Sequence, residues 1–514
     1  MRPYKMIFGL AALSLAIPWQ MATAAPEPVA VDPQPVERAV SSDHSVTINK
    51  RTISYRATAG TLILRGDAGK PRAEMFYVAY EATTAGPKAR RPVTFVFNGG
   101  PGSSSMWLHL GSFGPVRLST PILGKPGAPM LGPNPWTLLD KTDLVFIDAV
   151  GTGYSRTNDP ADTKFYWGND QDAASFVEGI ARYLTLSGKW DVPKFLLGES
   201  YGTMRAAIIA PRLHAKGIDL SGIILMSTIL NFAHFAPGLD QASVDLLPSY
   251  AATAYYHRRI PTRPGGVEKL TQDARVFARG PYALALAQGD NLPFGARARI
   301  ARQLHAFTGL SIAYLEAADL RIGIDQFRRE LLRDQRRSIG SLDTRFTGDE
   351  ANAVGDHATY DPAEAALSAP YAAAINRYLS SELNYTTNQP YVAGDVRRIM
   401  GAWDWAHQPA EGERQNSLAD AVPDLAVAMR QEPNMRVLSL NGYYDLMTPF
   451  FGAEYDLGKL GRGAVGRVTY RYYESGHMIY VDDRVMPRLR TAIGRFYDEA
   501  TMPVMSDGSS AKTH

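Results

Sequence analysis

Lys194-Phe-Leu-Leu-Gly-Glu-Ser-Tyr-Gly202 holds Gly198-x-Ser200-x-Gly202 between an apolar strand pattern and a helix pattern. That is the context of a nucleophile elbow, a turn so tight that only small residues fit on either side of the serine. A serine hydroxyl is a poor nucleophile until a base takes its proton. In such chains the order is serine, then acid, then histidine. Of ten histidines, only His477 and the terminal His514 lie beyond residue 435. His477 stands in Tyr473-Glu-Ser-Gly-His-Met478, directly after a strand pattern, and is the expected base. Asp445, just past the preceding strand pattern, is the expected acid that holds the imidazole in its working tautomer. Asp456 falls inside a helical pattern and reads as structural. The Gly-rich turn Asn98-Gly-Gly-Pro-Gly-Ser-Ser-Ser105 ends another strand pattern. It can turn bare backbone N–H groups toward a developing oxyanion. No Gly-Lys-Ser/Thr follows, which excludes the usual phosphate-cradling loop.

These groups need a scaffold that brings distant strand ends together. Apolar runs recur at Val93–Phe97, Asp143–Asp148, Lys194–Leu197, Gly222–Met226, Arg436–Leu440 and Val468–Tyr472, with helix patterns such as Asp170–Thr185 and Tyr201–His214 between them. Continuous apolar strands alternating with helices predict a mostly parallel sheet covered on both faces, an α/β fold. Before it, Ser45–Ile48, Thr52–Tyr55, Thr61–Leu64 and Phe76–Tyr80 alternate like an antiparallel meander. Residues 231–430 read as a helical cap insertion, with helices at Val244–His257, Ala296–Phe307, Gln326–Arg336 and Tyr371–Leu383. The core is thus expected in two parts, 43–230 and 431–500. Arg328, Arg329, Arg333, Arg336 and Arg337 alternate with acids at helical spacing and read as a solvated helix face.

Composition narrows the class. The chain has 514 residues, 45% of them apolar and 20% charged, with a net charge of +3. That supports a large core and argues against a nucleic-acid-coating protein. There is no cysteine, hence no disulfide, thiol nucleophile or Cys-ligated zinc, and no cofactor is expected. Residues 1–25 read as a signal peptide: Arg2 and Lys5, an apolar run Met6–Ile17, and the small-x-small site Ala22-Thr23-Ala24. Pro18 ends the run too early for a membrane span. Export to a periplasm or the medium is expected, with no membrane association after cleavage. Residues 26–42 read as a flexible lead-in and 501–514 as a disordered tail.

Asn98-Gly-Gly-Pro-Gly-Ser-Ser104, Asp148-Ala-Val-Gly-Thr-Gly-Tyr-Ser155, Gly198-Glu-Ser-Tyr-Gly202 and Gly476-His-Met478 together resemble the serine carboxypeptidase family of α/β-hydrolases. The resemblance implies Ser200 as nucleophile with Asp445 and His477 as partners. It implies Gly100 and Tyr201 as backbone donors to the oxyanion. It implies Asn98, Gly99 and Glu199 as the binders of a substrate's C-terminal carboxylate. Three positions depart from the family pattern. Ser112 stands where a second clamp glutamate is usual, Ser103 where a cysteine is usual, and Val96 where an aromatic is usual. The expected activity is release of C-terminal amino acids from peptides with a free C-terminus. An esterase or acyltransferase on the same scaffold, and an inactive binder of peptide C-termini, are the alternatives.

Overall fold

The computed structural model describes residues 36–66, 69–83, 90–120, 128–236, 238–262 and 264–502. The signal peptide, most of the lead-in and residues 503–514 lie outside the described residues. Nine strands run across the main sheet, β1 (Ala39–Ile48), β2 (Arg51–Arg65), β3 (Pro71–Ala82), β4 (Val93–Phe97), β5 (Asp143–Ile147), β6 (Lys194–Glu199), β7 (Gly222–Met226), β8 (Arg436–Gly442) and β9 (Val468–Tyr473), and a short tenth, Arg156–Thr157, pairs with β3 off this path. Their order across the sheet is β1-β2-β3-β5-β4-β6-β7-β8-β9. β1 to β3 and the β3–β5 pair are antiparallel, and every pair from β5 to β9 is parallel. The chain therefore switches direction between β4 and β6, and the C-terminal ends of β4, β6, β7, β8 and β9 lie along one edge.

Thr52–Tyr55 and Thr61–Leu64, read from sequence as separate strands, are one strand, β2. Small residues at Ala57, Ala59 and Gly60 let the backbone run on against β1 and β3 without a turn. β1 begins at Ala39, so the ordered core starts inside the expected lead-in.

Alternation along the strands sorts side chains to two faces. Phe95, Phe97, Leu196, Ile223, Leu225 and Val437 pack with α1 (Asn169–Ser187) and α2 (Tyr201–His214). Val96, Leu144, Phe146, Leu197, Ile224 and Leu438 pack on the other face, against helices at Pro362–Arg377 and Met486–Thr501. A third cluster joins the helices Gln241–Tyr256, Gly266–Phe277 and Phe294–Thr308 to Tyr443, Tyr444 and Phe450.

The insertion is thus less uniform than expected. The helix Val422–Gln431, α3 here, buries Val422, Leu425 and Met429 with α2 in the core, so the core resumes before residue 430. The arginine cluster is a solvated face only in part, with Arg336 exposed and Arg333 and Arg337 half-buried. Arg328 and Arg329 are buried, and the cluster's guanidiniums donate to the backbone carbonyls of Ile339, Tyr360, Asn352, Ala353, Ala351 and Thr347. A loop rich in unpaired carbonyls needs donors, and the arginines supply them from within the fold.

Candidate active site

Ser200 sits between β6 and α2 with φ 61° and ψ −131°, a left-handed conformation unusual for serine. The glycines around it are sterically required. A Cβ at Gly198 would lie 2.1 Å from the Gly202 carbonyl oxygen, and one at Gly202 would lie 2.9 Å from that of Phe97. A Cβ at Gly99 would come within 2.5 Å of both Tyr201 N and Gly202 N. The Gly-rich turn after β4 is therefore pressed against the first N–H groups of α2, and Gly100 adopts φ 106°. Arg205, one turn into α2, holds this arrangement. It is buried, pairs with Asp172 at 2.6 Å and donates to the Asn98 carbonyl at 2.5 Å.

The remaining groups come from the neighbouring strand ends. The Ser200 N–H donates to Met226 O at 3.0 Å, and the next residue, Ser227, donates its hydroxyl to the His477 carbonyl at 2.5 Å. His477 Nδ1 donates to Asp445 Oδ2 at 2.8 Å, which leaves Nε2 for proton exchange. Asp445 is fully buried and accepts from Met447 N at 2.8 Å, Thr448 N at 3.1 Å and Thr448 Oγ1 at 2.6 Å. Burial pushes the His477 pKa down, but the Asp445 carboxylate beside it outweighs that and leaves it raised. Asp456, by contrast, bonds to His234 Nε2 at 2.9 Å, away from His477, as its structural reading required.

Asn98 and Glu199 meet below the elbow, with Asn98 Nδ2 donating to Glu199 Oε1 at 2.8 Å. The amide is oriented by Leu108 N, which donates to Asn98 Oδ1 at 2.9 Å. Burial pushes the Glu199 carboxyl up to about 7, against the opposing pull of His477. Among the described residues its Oε2 is buried with no well-aligned hydrogen-bond partner, as are the hydroxyls of Tyr480 and Tyr371. The Tyr480 phenol faces both Glu199 and Asn98. Ser112 does not join this group. It lies in a π-helical turn, His109–Phe113, and donates its hydroxyl to Leu108 O at 2.5 Å. Space beside that turn is filled by the tyrosines: a Cβ at Gly111 would lie 2.4 Å from the Tyr480 ring and 2.6 Å from Tyr371 Oη.

All eight residues singled out from the sequence (Asn98, Gly99, Gly100, Glu199, Ser200, Tyr201, Asp445 and His477) thus lie at neighbouring strand ends. Sequence reasoning missed Thr448, Arg205 with Asp172, and Tyr480. It also missed a brace from the insertion. His477 N donates to Leu342 O at 2.6 Å, while Arg345 donates to Glu474 O at 2.8 Å and Ser475 Oγ at 3.1 Å and pairs with Asp343 and Asp482. No motif marks these residues; only their charge and their place in the tertiary fold identify them.

The sheet order, the elbow at its parallel edge and the serine–acid–histidine order define an α/β-hydrolase. The serine carboxypeptidase family model matches residues 53–238, a segment holding both the Gly-rich turn and the elbow. Over this segment the chain is similar to the serine carboxypeptidases. Serine carboxypeptidase-like 36 of Arabidopsis thaliana is 28% identical over 188 residues, 35% of this chain and 36% of that protein. The match thus spans about a third of that relative's length. Among solved structures, the prohormone-processing carboxypeptidase Kex1ΔP of Saccharomyces cerevisiae superposes with a TM-score of 0.53 at 15% identity, covering 88% of this chain and 93% of that one. At that identity the likeness is one of fold.

Proposed function

We propose that this protein is an exported serine carboxypeptidase that releases C-terminal amino acids through an acyl-enzyme on Ser200. The observation that carries the reading is the buried Asn98–Glu199 pair immediately beside the elbow serine. A hydrolase of neutral esters has no use for a carboxyl that burial keeps near neutrality at that place. A peptide C-terminus does, because a protonated Glu199 donates a hydrogen bond where an ionised one would repel.

In this reading Ser200 Oγ attacks the last peptide carbonyl carbon as His477 Nε2 takes its proton. The N–H groups of Gly100 and Tyr201 stabilise the oxyanion. The C–N bond breaks as His477 returns the proton to the leaving amine, and water then repeats the sequence on the acyl-enzyme. Asp445 keeps the proton of His477 on Nδ1 and stabilises the imidazolium. The Tyr480 hydroxyl supplies a polar contact on the side where Ser112 leaves the clamp without a second acid. The esterase reading rests on that same Ser112. A time course of amino-acid release from a mixed-sequence peptide separates the two: sequential release from the C-terminus is expected. Failure to release amino acids alongside turnover of esters would leave a general serine hydrolase. Export is tested by N-terminal sequencing of the protein recovered outside the cytoplasm, expected to begin after Ala24 or Ala25.

A further inference from the structure

α2 carries Ser200 at its start and ends at His214, roughly 20 Å away at a rise of about 1.5 Å per residue. α3 ends beside it, with Glu432 as its C-cap residue. His214 Nδ1 stands 2.8 Å from Asp219 Oδ1 and 3.8 Å from Glu432 Oε1. One donor atom from each of the three lies within 4.8 Å of the others. Glu432 is only 6% exposed. Its Oε2 accepts the Leu220 N–H at 2.6 Å, but among the described residues Oε1 is buried with no hydrogen-bond partner. A buried carboxylate oxygen without a donor calls for an explanation. The nearby ammonium of Lys194 does not provide it, since it donates to Trp190 O at 2.7 Å and Val192 O at 2.9 Å.

We propose that His214, Asp219 and Glu432 form a structural site for a divalent cation of the zinc class. Four ligands at about 2.1 Å in a tetrahedron stand about 3.4 Å apart, and the two distances from His214 bracket that spacing. One imidazole with two carboxylates suits zinc better than calcium or magnesium, which prefer oxygen alone. Both carbonyl ends of α2 and α3 face this corner, and helix C-termini attract positive charge. Nδ1 offers its lone pair with the ring proton on Nε2. Asp219, exposed over 73% of its side chain, opens the site to a cavity of about 570 Å³ from which water completes the shell. The ion would tie the far end of the helix behind the nucleophile to α3 and to the approach to β7.

The test is a calorimetric titration of ZnCl2 into the metal-stripped full chain without an affinity tag, with Co²⁺ absorption as a second readout. One Zn²⁺ per chain is expected, with a rise in Tm and tetrahedral Co²⁺ bands. His214→Gln, Asp219→Asn and Glu432→Gln should each weaken binding at least about tenfold and remove the rise in Tm. Glu432→Gln keeps an acceptor for the Leu220 N–H, and Asp219→Asn changes an exposed side chain, so folding is preserved. Absence of stoichiometric Zn²⁺ binding to the wild type, or binding undiminished in all three variants, would overturn the site.

Discussion

In the proposed mechanism Ser200, His477 and Asp445 form a chain of dependence in which each group matters only through the next. Ser200→Ala or His477→Ala is expected to lower kcat by about 10⁴ to 10⁶ with the fold intact, read by peptide turnover and circular dichroism. Asp445→Asn should cost about 10⁴, because the amide favours the wrong imidazole tautomer. Asp456→Asn should leave kcat unchanged and act on stability through His234. If the two aspartates exchanged these effects, the acid assignment would fall. In the proposed mechanism Glu199 sets the pH behaviour of binding. Its carboxyl, pushed up to about 7, donates to a substrate carboxylate only while protonated. KM for free-acid peptides is therefore expected to climb as pH rises through about 7, while kcat on a neutral ester does not follow. Glu199→Gln should flatten the climb. Tyr480→Phe should raise KM for peptides more than for esters, the mark of a group that acts on the carboxylate side of the cleft.

The elements decide how the histidine loop is held. A Cβ at Gly476 would lie 2.4 Å from the Asp343 Cβ, so the loop and residues 342–345 of the insertion are in direct contact. Arg345→Ala would leave the Asp343 and Asp482 carboxylates without their buried partner. A loss of about 3–5 kcal/mol in unfolding free energy is expected, with a fall in kcat because His477 loses its support. Denaturant unfolding and turnover on the same preparation check both. Excision of the insertion should therefore inactivate the core as well as expose its apolar face. A soluble, active core lacking residues 241–345 would show that the brace is dispensable.

At the scale of the whole molecule, proton linkage has a definite sign. Two buried histidines stand between pairs of carboxylates: His234 between Asp245 and Asp456, His407 between Asp170 and Asp424. Burial pushes their pKa values down, but the carboxylates prevail and raise them to about 10 and about 9. The stability they contribute is full below the unfolded value near 6.5 and is lost as pH rises through 9 to 10. Burial also raises Asp148 to about 6 and Glu199 to about 7, and both weaken the fold on ionising. Opposing them, Asp482 is held down to about 2 by Arg484 and Arg345 against burial, so its contribution disappears only in strong acid. From these groups Tm is expected to peak at about pH 4, where Asp482 is ionised while Asp148 and Glu199 still hold their protons, and to decline steadily toward pH 10. A flat profile from pH 6 to 10 would contradict the bracketed-histidine assignment. The amino-acid order alone determined the parallel sheet, the elbow and the serine–acid–histidine succession, because periodicity and turn sterics act over a few residues and leave local marks. The continuity of β2, the burial of Arg328 and Arg329 and the place of α3 in the core were decided by tertiary packing. So were the brace on His477 and the tyrosines beside Glu199. Each depends on contacts between residues far apart in the chain, and such contacts leave no local period to read.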